Sequence, residues 1–143
     1  MQQGLILNVS TRIHASAARV WEGITNPDLV REYFFGTNLE SNWEIGGPIV
    51  YRGEWEGTAY EDKGVILQLE PEKVLKHNYL SSWSGKPDLP ENYQVITYTL
   101  TPDGDDIILS ISQDNIETEE AKTHSEQNWN LLLENLKKLL EAA

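Results

Sequence analysis

The sequence predicts an α+β fold in which an antiparallel sheet is covered by one long C-terminal helix. Three observations predict it. The middle of the chain is a series of short β-branched and aromatic runs divided by Gly, Pro and Asp turns. Those runs alternate apolar and polar residues, as strands with one buried face do. The last part then changes period: Trp129, Leu132, Leu133, Leu136 and Leu140 share one helical face, while Glu134, Lys137, Lys138 and Glu141 fall mostly elsewhere. A sheet with one bare face and a helix with one apolar stripe have each other to cover.

Leu5 to Arg12, rich in β-branched residues, reads as the first strand. Ser16 is placed to cap a helix whose stripe is Val20, Trp21 and Ile24. Asn26-Pro27-Asp28 breaks that helix and starts a second short one through Leu29, Val30, Tyr33 and Phe34, ended at Gly36. Ser41 to Ile45 reads as a strand leading into the turn Gly46-Gly47-Pro48 and a further strand, Ile49 to Trp55. After Glu56-Gly57, two separate pieces are expected, Thr58 to Tyr60 and Val65 to Leu69, the second opened by Gly64. Glu70 to Lys73 turns into Val74 to Ser82. Ser84 to Glu91, with Gly85, Pro87 and Pro90, is a surface loop. Tyr93 to Thr101 and Ile107 to Gln113 flank a hairpin turn over Pro102 to Asp106, and the long helix begins near Glu117. No linker, repeat or low-complexity tract interrupts this order, so residues 1–143 are expected to form one domain.

Strand parity identifies the covered face. Val95, Thr97, Thr99 and Thr101 lie on one side and Ile96, Tyr98 and Leu100 on the other; Ile107, Leu109 and Ile111 oppose Ser110 and Ser112. Leu75, His77 and Tyr79 also share a side. The inward set therefore carries polar tips. Buried tips need partners, either one another and the backbone or the contents of a wet or ligand-filled cavity. The candidate cavity wall is His77, Tyr79, Trp83, Tyr98 and Trp129, with Leu133 from the helical stripe. Each has a purely structural alternative: His77 as a buried histidine bonded to backbone or tyrosine, the aromatic rings as core packing, Trp129 as the anchor between helix and sheet. Trp55 lies between Glu54 and Glu56, where alternation turns the ring inward and both acids outward.

Four motifs in order resemble a known superfamily. Val20-Trp21-Glu22-Gly23-Ile24-Thr25-Asn26-Pro27-Asp28 is similar to a first helix ending in "VW-x-x-(L/I)-T-(D/N)-P". Trp43-Glu44-Ile45-Gly46-Gly47-Pro48-Ile49 is similar to a "W-x-(V/I)-G-G" strand and turn. Gly64-Val65-Ile66 through Glu70-Pro71-Glu72-Lys73-Val74-Leu75 resembles a "G-x-V…P-x-x-x-L" pair, and Gln127-Asn128-Trp129 through Leu136-Lys137 resembles a "GW" and its closing helix. Together they resemble the START-like, helix-grip (SRPBCC) superfamily, and within it the family of the activator of heat-shock-protein-90 ATPase. Asn128 stands where glycine is usual, and Tyr33 where tryptophan is common. The resemblance implies a helix-grip fold, a curved antiparallel sheet wrapped around the long C-terminal helix, with two short helices after the first strand and a cavity between helix and sheet. It implies no single chemistry, since members bind hydrophobic small molecules, cyclise polyketides or act as co-chaperone domains.

Composition narrows the choice. The chain has no cysteine, which excludes disulfides and thiolate chemistry. No run of 18 apolar residues occurs, and the start lacks the basic and small-residue features of a secretion signal, so a cytoplasmic location and no membrane partner are expected. No Gly-x-Ser-x-Gly, phosphate-binding loop or His-x-x-x-His is found, so no catalytic residue, cofactor or metal is assigned. His14, His77 and His124 are widely separated, and Asp103, Asp105 and Asp106 lack the length of a calcium loop and read as a solvated turn. The leading expectation is a module that binds a hydrophobic or aromatic small molecule. The alternatives are a co-chaperone-like interaction domain and a polyketide-cyclase-like enzyme, which needs a carboxylate beside His77. With a formal net charge of −12 and no Lys/Arg cluster, the field around the protein repels phosphate. Duplex DNA at micromolar protein should therefore show no salt-sensitive mobility shift; such a shift would overturn the composition argument.

Overall fold

The structure, a computed structural model, describes residues 4–34, 36–55, 57–81 and 85–141; the side chain of Trp55 and all of Trp83 lie outside that description. Seven strands, β1 (Leu5–Ile13), β2 (Asn38–Ser41), β3 (Pro48–Trp55), β4 (Thr58–Glu70), β5 (Val74–Ser81), β6 (Gln94–Asp103) and β7 (Asp106–Ile116), form one sheet in the order β1-β7-β6-β5-β4-β3-β2, every pair antiparallel. Two short helices, α1 (Ala17–Thr25) and α2 (Pro27–Tyr33), join the two edge strands, and the long α3 (Glu119–Glu141) lies on the curved sheet. This is the α+β helix-grip architecture.

Local chemistry sets the helix ends. Ser16 Oγ accepts the Arg19 amide, capping α1. Asn26 serves both short helices: its backbone N–H closes α1 on the Glu22 carbonyl, and its Oδ1 caps α2 at Asp28, with Pro27 in the first turn. Thr118 Oγ1 accepts the Ala121 amide, and Glu119 and Glu120 in the first turn of α3 suit the positive end of its dipole.

Two strand assignments differ from expectation. The edge strand is Asn38–Ser41 rather than Ser41 to Ile45, because Ser41 Oγ takes the Trp43 amide and Asn42 Oδ1 takes the Glu44 amide, turning the backbone through a left-handed Trp43 with φ of 55°. The two pieces expected after Gly57 are one 13-residue strand, β4. Gly64 does not open a new strand there. It sits inside β4 against the backbone of Asn78 on β5, where a Cβ would collide with the carbonyl. The Asp103–Asp106 turn holds neighbours: Arg12 pairs with both acids, and His14 Nδ1 lies 2.6 Å from Asp106.

The predicted parity is observed. Ile96, Tyr98, Leu100, Ile107, Leu109 and Ile111 are buried, and Thr97 and Ser110 are partly exposed on the other face. Leu132, Leu133, Leu136 and Leu140 of α3 join Val20 and Ile24 of α1 in the core, and Gly23 lets Leu136 and Leu140 approach α1 closely. Trp21 is only partly buried at the margin of that core. In urea melts, Leu132→Ala and Leu136→Ala should each lose about 2–5 kcal/mol, against under about 1 kcal/mol for Thr97→Ala or Ser110→Ala; equal losses would invert the face assignment. Gly64→Ala should lose more than about 1 kcal/mol through its collision with Asn78, although it adds a better strand former.

Candidate functional site

The apolar stripe of α3 stops at Trp129. One and two turns further toward the N-terminus, the same face carries Ser125, Glu126, Ala121 and Lys122, residues too small or too polar to fill a core. The concave wall of β3, β4 and β5 opposite them is left uncovered. A cavity of about 600 Å³ results, within the usual range for small-molecule sites. Its mouth is formed by exposed α3 residues, His124, Asn128 and Leu131, the last 46% exposed.

The wall is a row of rings. Phe34 at the end of α2 stacks on Tyr51 of β3 at 5.5 Å between centroids; Tyr51 lies 5.8 Å from His77 of β5; His77 stacks on Tyr98 of β6 at 6.1 Å; and Tyr98 meets the edge of Trp129 at 6.1 Å and 85°. Adjacent β5 and β6 place His77 and Tyr98 near each other, since His77 pairs with Ile96 in register and Leu75 with Tyr98, whereas Tyr51 on β3 reaches His77 across β4. Trp129 is fixed from below: its indole N–H donates to Gln113 Oε1 at 2.7 Å, and Gln113 Nε2 donates to Gln94 Oε1 at 2.7 Å.

Most polar tips in the wall have partners. The Tyr51 and Tyr98 hydroxyls bond each other, Tyr79 bonds Gln113, and Tyr60 bonds the buried Thr37. Burial raises all three of the phenols Tyr51, Tyr79 and Tyr98, the last to about 12. His77 is 1% exposed, and burial pushes it down from 6.5 to about 4, against the opposing pull of the Asn78 carbonyl. It is therefore neutral at pH 7. Its Nδ1 lies 2.9 Å from that carbonyl, which only accepts, so the proton sits on Nδ1 and Nε2 presents a lone pair. Asp62 of β4 lines the same cavity; burial raises its pKa, opposed by a bond from Ser81. Among the described residues, two buried side-chain polar atoms have no hydrogen-bond partner, His77 Nε2 and Asp62 Oδ1.

Of the expected wall residues, His77, Tyr79, Tyr98 and Trp129 line this cavity, and Trp83 lies outside the described residues. Leu133 does not line it; its side chain faces a void of about 10 Å³ beside Ile24 and Leu136, a packing defect of the neighbouring core. Asp62 and Tyr51 were missed by sequence reasoning. The signal for Asp62 was present: continued back from buried Ile66 through one unbroken strand, parity turns Gly64, Asp62 and Tyr60 inward. No group of three or more metal-ligating side chains gathers among the described residues.

The family of activator of Hsp90 ATPase homolog 1-like proteins matches residues 14–141, and the chain belongs to it. The fold and site thus define a START-like helix-grip protein. A solution structure of a Cytophaga hutchinsonii protein is 49% identical, with a TM-score of 0.85 over 99% of this chain and 97% of that one. The Aha1 dimer from Colwellia psychrerythraea is 18% identical, with a TM-score of 0.75 over 96% of each chain. DynU16, a putative protein in the dynemicin biosynthetic locus, is 18% identical, with a TM-score of 0.80 over 95% of this chain and 47% of that one. At 18% identity these two share the fold. A comparison with curated proteins finds no match.

Two pH effects follow. The unfolded chain protonates His77 near 6.5 and the folded one near 4, so this residue's contribution to stability falls as pH drops through that window, by on the order of 3 kcal/mol in all. His14 and Asp62, both raised, act in the opposite direction, so the test is the difference between wild type and His77→Phe in urea melts from pH 7 to 4. That difference should shrink steadily on acidification; a flat difference would refute a neutral, buried His77. Asp62→Asn should raise the urea midpoint at pH 7, where the ionised carboxylate is disfavoured by burial, and the gain should fade as pH falls through the raised pKa of Asp62.

Proposed function

We propose that the protein binds a small apolar or aromatic molecule between α3 and the sheet, with His77, Tyr79, Tyr98 and Trp129 as its wall. The observation that carries this is an open space of about 600 Å³ floored by a row of packed rings. Native interiors seldom leave more room than a water molecule, and here the helix face above the space is polar and small rather than collapsed onto it. Membership of a superfamily whose fold suits small hydrophobic ligands supports the same reading.

An enzyme of the cyclase kind is a second reading, favoured by one observation: a carboxylate, Asp62, lines the cavity that holds His77. Recovery of a bound compound chemically unchanged after prolonged incubation counts against it. The co-chaperone reading draws on the family's name and the acidic surface, and a pull-down at low salt that retains no chaperone would sink it.

Asn128→Trp tests the binding reading. Asn128 is exposed at the mouth, so the bulk of the new ring falls across the opening and not in the core. The neutral dye Nile red should bind the wild type with enhanced emission and lose at least about tenfold in affinity for the variant, equivalent to roughly 1.4 kcal/mol, while circular dichroism stays unchanged. Equal binding would place the dye on the outer surface and remove the cavity from the account.

A further inference from the structure

We propose that the molecule taken by this cavity presents hydrogen-bond donors, hydroxyl or N–H groups on an aromatic or apolar body, and that His77 Nε2 and Asp62 Oδ1 accept them. The inference deepens the binding reading above and rests on it. Residue type alone points the other way, toward a ligand with acceptor groups, because histidine and tyrosine tips both can donate. The bonding pattern reverses that polarity. The Tyr51 hydroxyl donates to Tyr98, and the Trp129 indole donates to Gln113. The His77 proton is spent on the Asn78 carbonyl. Among the described residues, what is left buried and unsatisfied is a nitrogen lone pair and a carboxylate oxygen, each covered by neighbouring side chains, so that a ligand donor reaches them when those side chains shift.

A buried acceptor without a donor costs the full desolvation of that group, which a ligand donor recovers on binding. Two such atoms in one cavity, each on an inward position of a central strand, are out of character with a core packed for stability alone. The same pair selects against anions. A carboxylate head group would lie beside Asp62, and His77, held neutral at pH 7, supplies no compensating charge. Fatty-acid-like ligands are therefore disfavoured relative to alcohols, phenols and amines of the same body.

Three probes with one body separate the possibilities: 4-propylphenol, 4-propylanisole and 4-propylbenzoate, titrated into the ¹⁵N-labelled full chain at pH 7 by NMR. The phenol should bind best, and the anisole, which keeps the oxygen but lacks the proton, on the order of tenfold more weakly; the benzoate should be weakest. The Nε2 resonance of His77 should move upfield with the phenol and stay with the anisole. In His77→Phe the ratio between phenol and anisole should fall toward one. If that variant fails to fold by circular dichroism, the ring resonance of the wild type decides, and Asp62→Asn, which relieves a buried charge, supplies the second variant with a reduced ratio. Equal affinity for phenol and anisole with a stationary His77 resonance overturns the donor assignment and leaves cavity binding standing. Failure of all three probes, together with Nile red bound equally by Asn128→Trp, overturns both.

Discussion

One helix has to cover a seven-stranded sheet, and its apolar stripe is too short to do so. Everything specific to this protein follows from where that stripe ends. C-terminal of Trp129, leucines at 132, 133, 136 and 140 close on β1, β7 and α1 and make an ordinary core. Trp129 itself is the last contact, held by an edge-on ring contact with Tyr98 and by its N–H on Gln113. N-terminal of it the helix continues for nearly three turns, with polar and small residues on the face that carries Trp129. These turns are held by a cap and a favourable dipole rather than by packing. The cavity is the volume under them.

That geometry explains why the sheet's inner face changes character along its width. Under the leucines the inward strand residues are Leu and Ile, as at Leu100, Leu109 and Ile107. Under the bare turns they are aromatic or polar, as at Tyr51, Asp62, His77 and Tyr98. Rings suit this position because they pack laterally against one another across the sheet and so remain ordered without a layer above them. The row from Phe34 to Trp129 is thus both a wall and a brace, linking the end of α2 to α3 through four ring contacts.

Most of this fold was legible in the sequence because period and parity report burial directly. The long helix and its face, the two short helices hinged at Asn26-Pro27 and the Thr and Ser outer face of β6 and β7 all rest on patterns several residues long. The failures fall where a single residue decides. Gly64 looks like punctuation, yet inside β4 it answers a close backbone approach from Asn78, and reading it as a break hid the parity that turns Asp62 inward. Ser41 and Asn42 look compatible with a strand, yet their side chains satisfy the next amides and end it. Leu133 belongs to the helical stripe, but which part of the stripe faces open space depends on how α1 packs, and that is a tertiary fact. The candidate site was half legible: His77, Tyr79 and Tyr98 follow from strand parity and Trp129 from the helical stripe, while Asp62 was hidden by the break read at Gly64 and the proton on Nδ1 of His77 leaves no mark in the sequence.

The protonation of His77 also weighs the functional readings against each other. A general base works best when its pKa lies near the working pH. Burial holds His77 near 4, too weakly basic to collect a proton at neutrality. Nor does it switch charge anywhere in the physiological range, so its lone pair is a permanent acceptor rather than a shuttle. Catalysis in this cavity would have to rest on Asp62, whose raised pKa moves toward neutrality and whose second oxygen is tied to Ser81. Recognition needs less. A fixed acceptor on a ring, braced on both sides by tyrosines, needs no change of protonation to take a donor. On the proposed binding, the stability given up by leaving two buried acceptors unpaired would be recovered by the donor that enters, and occupancy of the cavity and stability of the fold would be one linked equilibrium.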